Sequence, residues 1–233
     1  MRMAISRLRE VVTADAVVTR RYHGDDSICC HYAGGMARWQ GNTRERLERA
    51  ALELFREQGY DRTTVAQIAQ HAGLTERSFY RWFTDKREVL FAGDELQACL
   101  EAGIAKVPAE TGALATLMAA FTAVPEVLRP REVLIELRAV IAANPPLRER
   151  SLIKEAMLSE VTAAALRRRG HDEQTARLAT ALGMAILASA TRRWVLGEEA
   201  DFATLLAGSA ADLLAVAADL PPVHTETGRA PRK

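Results

Sequence analysis

Cysteine is scarce in this chain of 233 residues, which contains only Cys29, Cys30 and Cys99. A small odd number of cysteines, two of them adjacent, does not have the pattern of a disulfide framework. The sequence also lacks a run of about 18 apolar residues, which a membrane-spanning helix needs, and its N-terminus lacks the apolar core of a signal peptide. We therefore expect a cytoplasmic protein that makes no membrane contact.

Net charge and catalytic motifs are also lacking. The 31 Lys and Arg residues nearly balance the 30 Asp and Glu residues, so the formal net charge is only +1. Any attraction for phosphate must therefore depend on where the cations lie. The sequence contains no glycine-rich phosphate loop, no metal-ligand cluster and no Gly-x-Ser-x-Gly motif. We expect no enzymatic activity, no cofactor and no metal, and we keep an enzyme and a helical adaptor protein as alternatives.

The composition that remains favours an all-α fold. Alanine is abundant, Val, Ile and Thr are sparse, and Gly and Pro fall between segments. Cap residues and Gly or Pro breaks predict about nine helices. Two are short and lie within residues 64–86, and the other seven are predicted near residues 43–58, 85–106, 111–123, 130–143, 146–169, 172–196 and 201–218.

Residues 64–86 carry the most informative motif, two short helices joined by a glycine. Thr64 and Gln67 have the spacing of a capping box, which predicts that a helix starts there. Gly73 permits the left-handed backbone that ends such a helix, and Thr75 is a favoured N-cap for the next one. This pattern predicts a helix-turn-helix, in which the second helix enters the major groove of DNA.

The second helix of this motif has an apolar face and a polar face. Phe79 and Phe83 recur four residues apart and would anchor the helix to its domain. The amphipathic helix predicted at 43–58 would belong to the same domain. The polar side and its flanks supply the candidate DNA-binding residues, which are Thr64, Thr75, Glu76, Arg77, Ser78, Tyr80, Arg81 and Lys86.

Base readout is expected from the start of the second helix. Arg77 can donate two hydrogen bonds to guanine, and Glu76 can accept one from the amino group of cytosine. Thr75 and Arg81 lie beside them on the same face. For Thr75, capping of the helix is the alternative role, and the two roles can coexist.

Phosphate contacts are expected from Thr64, Tyr80 and Lys86, which would set the register of the protein on DNA without reading its sequence. Thr64 has the same alternative role as a cap. For Tyr80 the alternative is an aromatic ring packed on the core of the domain.

The chain resembles the DNA-binding domain of the TetR family of transcriptional regulators. The resemblance is carried by residues 50–55, 59–60, 63–65, 68–69, 72–73, 79–80, 82–83 and Lys86. Trp82 departs from the family pattern, which often has His there. The resemblance implies a homodimeric, ligand-released repressor that binds double-stranded DNA at a palindromic operator, with a C-terminal domain for the ligand.

The chain divides into four predicted regions. Residues 1–37 show little sustained periodicity and are expected to form a disordered arm; a basic arm that follows DNA phosphates and translation that begins at Met36 are the alternatives. Residues 38–84 would form the helix-turn-helix domain and residues 85–219 the helical ligand-binding and dimerisation domain. Residues 220–233 are polar and are expected to be a disordered tail.

The last two predicted helices are the best candidates for the dimer interface. Small residues recur along 174–194 and would allow close helix approach, while 202–217 is strongly apolar. Two such helices from each subunit would form a four-helix interface, as the family resemblance implies. The alternative is that both helices simply form the core of a monomer.

A small hydrophobic effector is expected to bind among the C-terminal helices, where Met side chains can adapt to varied apolar ligands. Arg138, or the pair Arg192 and Arg193, could meet an anionic group of that effector. Residues 144–196 resemble actinobacterial TetR proteins of the mycofactocin-regulator type, which implies an acyl-CoA-like ligand as one option. The candidate pocket residues are Met118, Phe121, Leu137, Arg138, Ile141, Met157, Met184, Leu187 and Trp194.

Overall fold

A computed structural model describes residues 43–91, 93–198 and 200–219. Over these residues the chain forms nine α-helices and no strand, which confirms the predicted all-α fold. The predicted N-terminal arm and C-terminal tail lie outside the described residues. In chain order the helices are α1 (Thr43–Gln58), α2 (Val65–His71), α3 (Glu76–Tyr80), α4 (Glu95–Lys106), α5 (Ala113–Phe121), α6 (Arg131–Ala143), α7 (Pro145–Arg168), α8 (Glu173–Leu196) and α9 (Phe202–Ala217).

The ends of the last two helices follow directly from local sequence. Asp172 and Asp201 are the N-caps of α8 and α9, and each accepts a hydrogen bond from the backbone N–H three residues on. Gly197 ends α8 in the left-handed conformation, with φ of 96°. These three positions confirm the predicted boundaries, because a cap depends on its immediate neighbours.

The predicted single helix over residues 85–106 is wrong. Asp85 accepts a hydrogen bond from the backbone N–H of Arg87 at 2.7 Å, but it begins only a short 3-10 turn over Glu88–Leu90. The chain then bends before α4 begins, and Gly93 has φ of 113°, which side-chain-bearing residues rarely adopt. The two parts of the chain are therefore joined by a bend, not by one continuous helix.

The helices enclose two clusters of buried apolar side chains. We call residues 43–91 the head and residues 95–219 the body. The body cluster lies among α4, α5, α7, α8 and α9, and includes Leu117, Phe121 and Leu206, none of which is more than 1% exposed.

The head cluster extends across the boundary between the head and the body. It joins buried residues of α1, α2, α3 and the 3-10 turn, and it also includes Val140 of α6 and Leu147 of α7. Leu147 is fully buried. The α6–α7 hairpin therefore completes the core of the head, although it belongs to the body along the chain.

No helix within the described part of the chain is both long enough and apolar enough to cross a membrane.

Replacing Asp201 with Ala tests the N-cap of α9. Hydrogen bonds from the backbone N–H and hydroxyl of Thr204, both 2.8 Å long, lower the pKa of the Asp201 carboxyl. Because the folded pKa is the lower one, this contribution is present at neutral pH and is lost as the pH falls through it. Asp201→Ala should lower the free energy of unfolding by about 1 kcal/mol at neutral pH, measured by urea titration.

Asp201→Asn is the matched control, because it keeps an acceptor oxygen for the Thr204 N–H. The loss of unfolding free energy in the Asp201→Ala protein should become smaller in acid. An equal deficit at all pH values would contradict the role of the Asp201 carboxylate.

Candidate DNA-binding surface

The first helix of the motif begins with the predicted capping box. The Thr64 hydroxyl accepts a hydrogen bond from the backbone N–H of Gln67 at 3.2 Å, and the Gln67 side chain accepts one from the backbone N–H of Thr64 at 2.8 Å. Both partners of the box are thus in place. This arrangement fixes the direction in which α2 leaves the preceding turn.

The turn between α2 and α3 depends on Gly73, which has φ of 65°. The Leu74 N–H donates to the Ala69 carbonyl at 2.8 Å, which closes the end of α2. From α1, the Arg46 guanidinium donates to the Ala72 carbonyl. Glycine is needed here for this positive φ, because the nearest atom to a Cβ on residue 73 would be the end of the flexible Arg46 side chain, which can move aside.

Helix α3, the predicted recognition helix, starts at its predicted cap and is held by its predicted anchors. The Thr75 hydroxyl accepts a hydrogen bond from the backbone N–H of Ser78 at 3.2 Å. Phe79 is fully buried and Phe83 is 3% exposed, and their ring centroids lie 5.2 Å apart. One side of α3 is therefore fixed in the core of the head.

The other side of α3 is open to solvent. Glu76, Arg77 and Arg81 are exposed, and Ser78 is partly buried between them and the core. Tyr80 is 57% exposed, while its ring lies edge-on to the buried ring of Phe79, with centroids 5.5 Å apart. The structure thus gathers the predicted base-reading side chains on one accessible face, while their contacts with DNA stay a prediction.

Lys86 has a structural environment that the sequence did not reveal. Its ammonium donates to the backbone carbonyls of Tyr60 at 2.7 Å and Thr63 at 2.9 Å, and it lies 4.0 Å from the centre of the Tyr60 ring. Burial lowers the pKa of Lys86. The Lys86 ammonium thus stabilises the turn before α2 and has one further N–H that can bind other partners. Its contact with a DNA phosphate stays a prediction.

The predicted pocket residues do not surround one site. Met118, Phe121 and Leu187 are buried in the body cluster, and Met184 and Trp194 pack against it. Leu137 and Ile141 pack against the head cluster, Arg138 is exposed, and Met157 is 55% exposed. The sequence showed that these residues lie on helices, but not which core each helix faces.

A different cavity lies beside α4 and α5. It is an open cleft of about 990 Å³, lined by parts of both helices, by the loop between them and by the residues that follow α5. Its wall includes Ala102, Ala119 and Ala123, and Lys106 and Glu126 bring charge to it. None of the predicted pocket residues lines this cleft.

The comparisons with known proteins place the head in a family. Residues 48–92 match the sequence profile described as bacterial regulatory proteins, tetR family. The HTH-type transcriptional regulator TcmR of Streptomyces glaucescens is 42% identical over 85 residues, which cover 35% of this chain and 37% of that protein. The HTH-type transcriptional regulator HbdR of an Aromatoleum strain is 44% identical over 48 residues, which cover 21% of each chain. The matches thus span only 37% and 21% of these two relatives.

Among solved structures, the Thermus thermophilus TetR-family repressor FadR, in complex with lauroyl-CoA, is 24% identical to this chain. The alignment covers 80% of this chain and all of that one, with a TM-score of 0.46.

The matched segment contains α2, α3 and most of α1, with the Thr64 and Thr75 caps and the Gly73 turn described above. Over residues 48–92, this head therefore matches the tetR family of bacterial regulatory proteins.

Proposed function

We propose that this protein is a sequence-specific DNA-binding transcriptional regulator that acts as a repressor. The observation that best supports it is the two-sided recognition helix, with Phe79 buried and Glu76, Arg77 and Arg81 exposed. A short helix that presents polar side chains from a rigid three-helix unit suits the major groove of DNA. The family of the head supports a regulator over an enzyme or an adaptor protein.

The proposed DNA contacts divide into two kinds. Thr75, Glu76 and Arg77, at the start of α3, would meet base edges with Arg81, and Ser78 would support them. Thr64 and Tyr80, with the remaining N–H of Lys86, would meet phosphates on the two sides of the groove. The exposed Tyr80 hydroxyl can donate to a phosphate oxygen.

The first test concerns the function itself. Purified protein should enrich one motif from a pool of random DNA duplexes, and a reporter gene placed behind that motif should be repressed.

Two variants on α3 separate the two kinds of contact. Arg77→Ala should weaken binding by about 1–3 kcal/mol and relax the preference at one base pair. Tyr80→Phe should weaken all sequences about equally, because it removes a hydroxyl that reads no base.

A pool without enrichment would contradict DNA recognition and favour the adaptor protein. Activation of the reporter would overturn repression alone. An Arg77→Ala protein with unchanged affinity and sequence profile would remove Arg77 from the readout.

We further propose that the protein is a homodimer through α8 and α9. The outward side of α8 carries Leu178, which is 59% exposed, with the exposed small residues Ala181, Ala185 and Ala188. Leu214, on α9, is 47% exposed. Exposed apolar area with small residues suits a helix–helix interface. A two-fold dimer would read a palindromic operator.

A charge on the outward side of α8 tests the dimer. Ala185→Glu should convert the protein to monomers, because the new carboxylate would be buried without a partner. Ala105→Glu, on the exposed side of α4, is the matched control and should leave the mass unchanged. Sedimentation equilibrium measures both, and a dimeric Ala185→Glu protein would rule out this interface.

We also propose that the cleft beside α4 and α5 receives a small apolar effector. Its volume of about 990 Å³ lies at the upper end of the range for ligand pockets. Small side chains such as Ala119 and Ala123 leave space for an apolar chain, and Lys106 can pair with an anionic head group. An acyl-CoA-like molecule has both features, and its binding would release the DNA.

Filling this cleft tests the effector site. We expect the fluorescent probe 8-anilinonaphthalene-1-sulfonate, an apolar anion, to bind the native protein. Ala123→Trp should abolish this binding because the indole occupies the cleft, whereas Ala139→Trp, on the exposed side of α6, should not. Equal fluorescence titrations for the two variants would exclude the cleft as the binding site.

A further inference from the structure

Helix α7 belongs to both hydrophobic cores of the molecule. Leu147, in its first turn, is fully buried in the head cluster. Ala165 and Leu166, near its other end, are buried in the body cluster. A helix of 24 residues is about 36 Å long. It is therefore a continuous rod that reaches from one core to the other.

Helix α4 does not have this property. Its buried residues Leu100 and Ile104 lie in the body cluster alone. Between α4 and the head lies the bend at Gly93, whose φ of 113° prevents a continuous helix. An exposed ion pair spans this bend, because the Arg44 guanidinium of α1 donates to the Glu95 carboxylate of α4 at 2.8 Å. Because exposed ion pairs contribute little stability, the connection through α4 fixes the head less firmly than the buried apolar contact of α7 does.

A partly buried ion pair joins α7 to the segment that follows the recognition helix. Arg150 donates to Glu88 through two N–H groups, one from Nε and one from Nη2 at 2.7 Å. The two side chains are only 16% and 22% exposed. Such a two-pronged pair fixes direction as well as distance. Val89 and Leu90, which follow Glu88, are buried in the head cluster. Arg150 therefore contacts a part of the head whose position is fixed by buried side chains.

The other end of α7 is fixed to the body by a second arginine. Arg169, directly after α7, donates to the carbonyls of Ile104 at 3.0 Å and Pro108 at 2.5 Å. These carbonyls lie at the C-terminal end of α4 and in the loop that follows it. Both ends of the rod are thus attached, one to the head and one to the wall of the cleft.

We propose that α7 sets the orientation of the head relative to the body, with Arg150 as the positioning residue that acts through Glu88. The consequence for DNA rests on the proposed function: in a dimer, the head orientation sets the distance between the two recognition helices. That distance must match half-sites about 34–36 Å apart. Arg150 therefore determines which half-site spacing the protein accepts, without touching DNA.

The first experiment measures the head orientation directly and needs no DNA. Spin labels are placed at Arg62→Cys in the head and Ala105→Cys in the body, in full-length protein whose native cysteines are replaced by Ser. An excess of unlabelled protein is added so that labelled chains pair with unlabelled ones, which removes label–label distances between two chains. Arg150→Gln should broaden or shift the label–label distance distribution. Arg148→Gln, an exposed arginine two residues away on α7, makes the same chemical change and should not.

A second pair of variants separates positioning from folding. Glu88→Gln removes the same ion pair from the other side and should give the same broadening as Arg150→Gln. The double variant Glu88→Arg with Arg150→Glu restores opposite charges and should narrow the distribution again. Circular dichroism of each variant checks that the helices form. An unchanged distribution in a folded Arg150→Gln or Glu88→Gln protein would overturn the proposal.

The second experiment measures spacing with duplexes enriched from a random pool by the native protein. Arg150→Gln should bind a single half-site as native protein does, because the head itself is intact. Its preference for the selected spacing over spacers one or two base pairs longer should fall by about fivefold or more. An unchanged preference would overturn the spacing role. If native protein enriches no duplex, the proposed function fails, while the distance measurement still decides the role of α7.

Discussion

The burial of Phe79 is the interaction on which the recognition helix depends. Helix α3 has only five residues, and isolated helices shorter than about 12 residues are marginal in water. Its existence and direction therefore come from the core that holds Phe79, not from its own hydrogen bonds. Because that core includes Leu147 of α7, the orientation of the exposed Arg77 depends on a residue 70 positions away along the chain.

Local features of the fold could be predicted from the sequence. The caps at Thr64, Thr75 and Asp201 each satisfy a backbone N–H within three residues, so sequence alone contains both partners. Gly73 is equally local, because its positive φ depends on the turn itself. The polar side of α3 followed from the same periodicity that placed Phe79 in the core. The helix-turn-helix and its accessible residues were therefore predictable as a unit.

Features that depend on distant contacts could not be predicted. Asp85 and Glu88 have the spacing of a helix start, but Glu88 pairs with Arg150, which lies 62 residues further on. Lys86 was predicted to contact phosphate, and its spacing in the sequence did not reveal that its ammonium donates to two backbone carbonyls. Apolar residues at helical spacing, such as Leu137, show that a helix is amphipathic but not which core it faces. The pocket prediction combined residues of two cores for this reason.

A rod shared by two cores also explains how a short apolar contact can have a distant effect. Close-packed cores resist small changes in volume, so a displacement of α7 at Leu166 in the body would also disturb the packing of Leu147 in the head. Helix α4 has its own link to the head, because Arg44 of α1 donates to the Glu95 carboxylate at 2.8 Å beside the bend at Gly93. The bend that breaks the predicted helix is therefore spanned by an ion pair, so the head is held to the body at both α4 and α7. Helix α7 differs from α4 because it carries buried apolar side chains into both cores, and a change at either end of α7 must therefore be accommodated by close-packed neighbours.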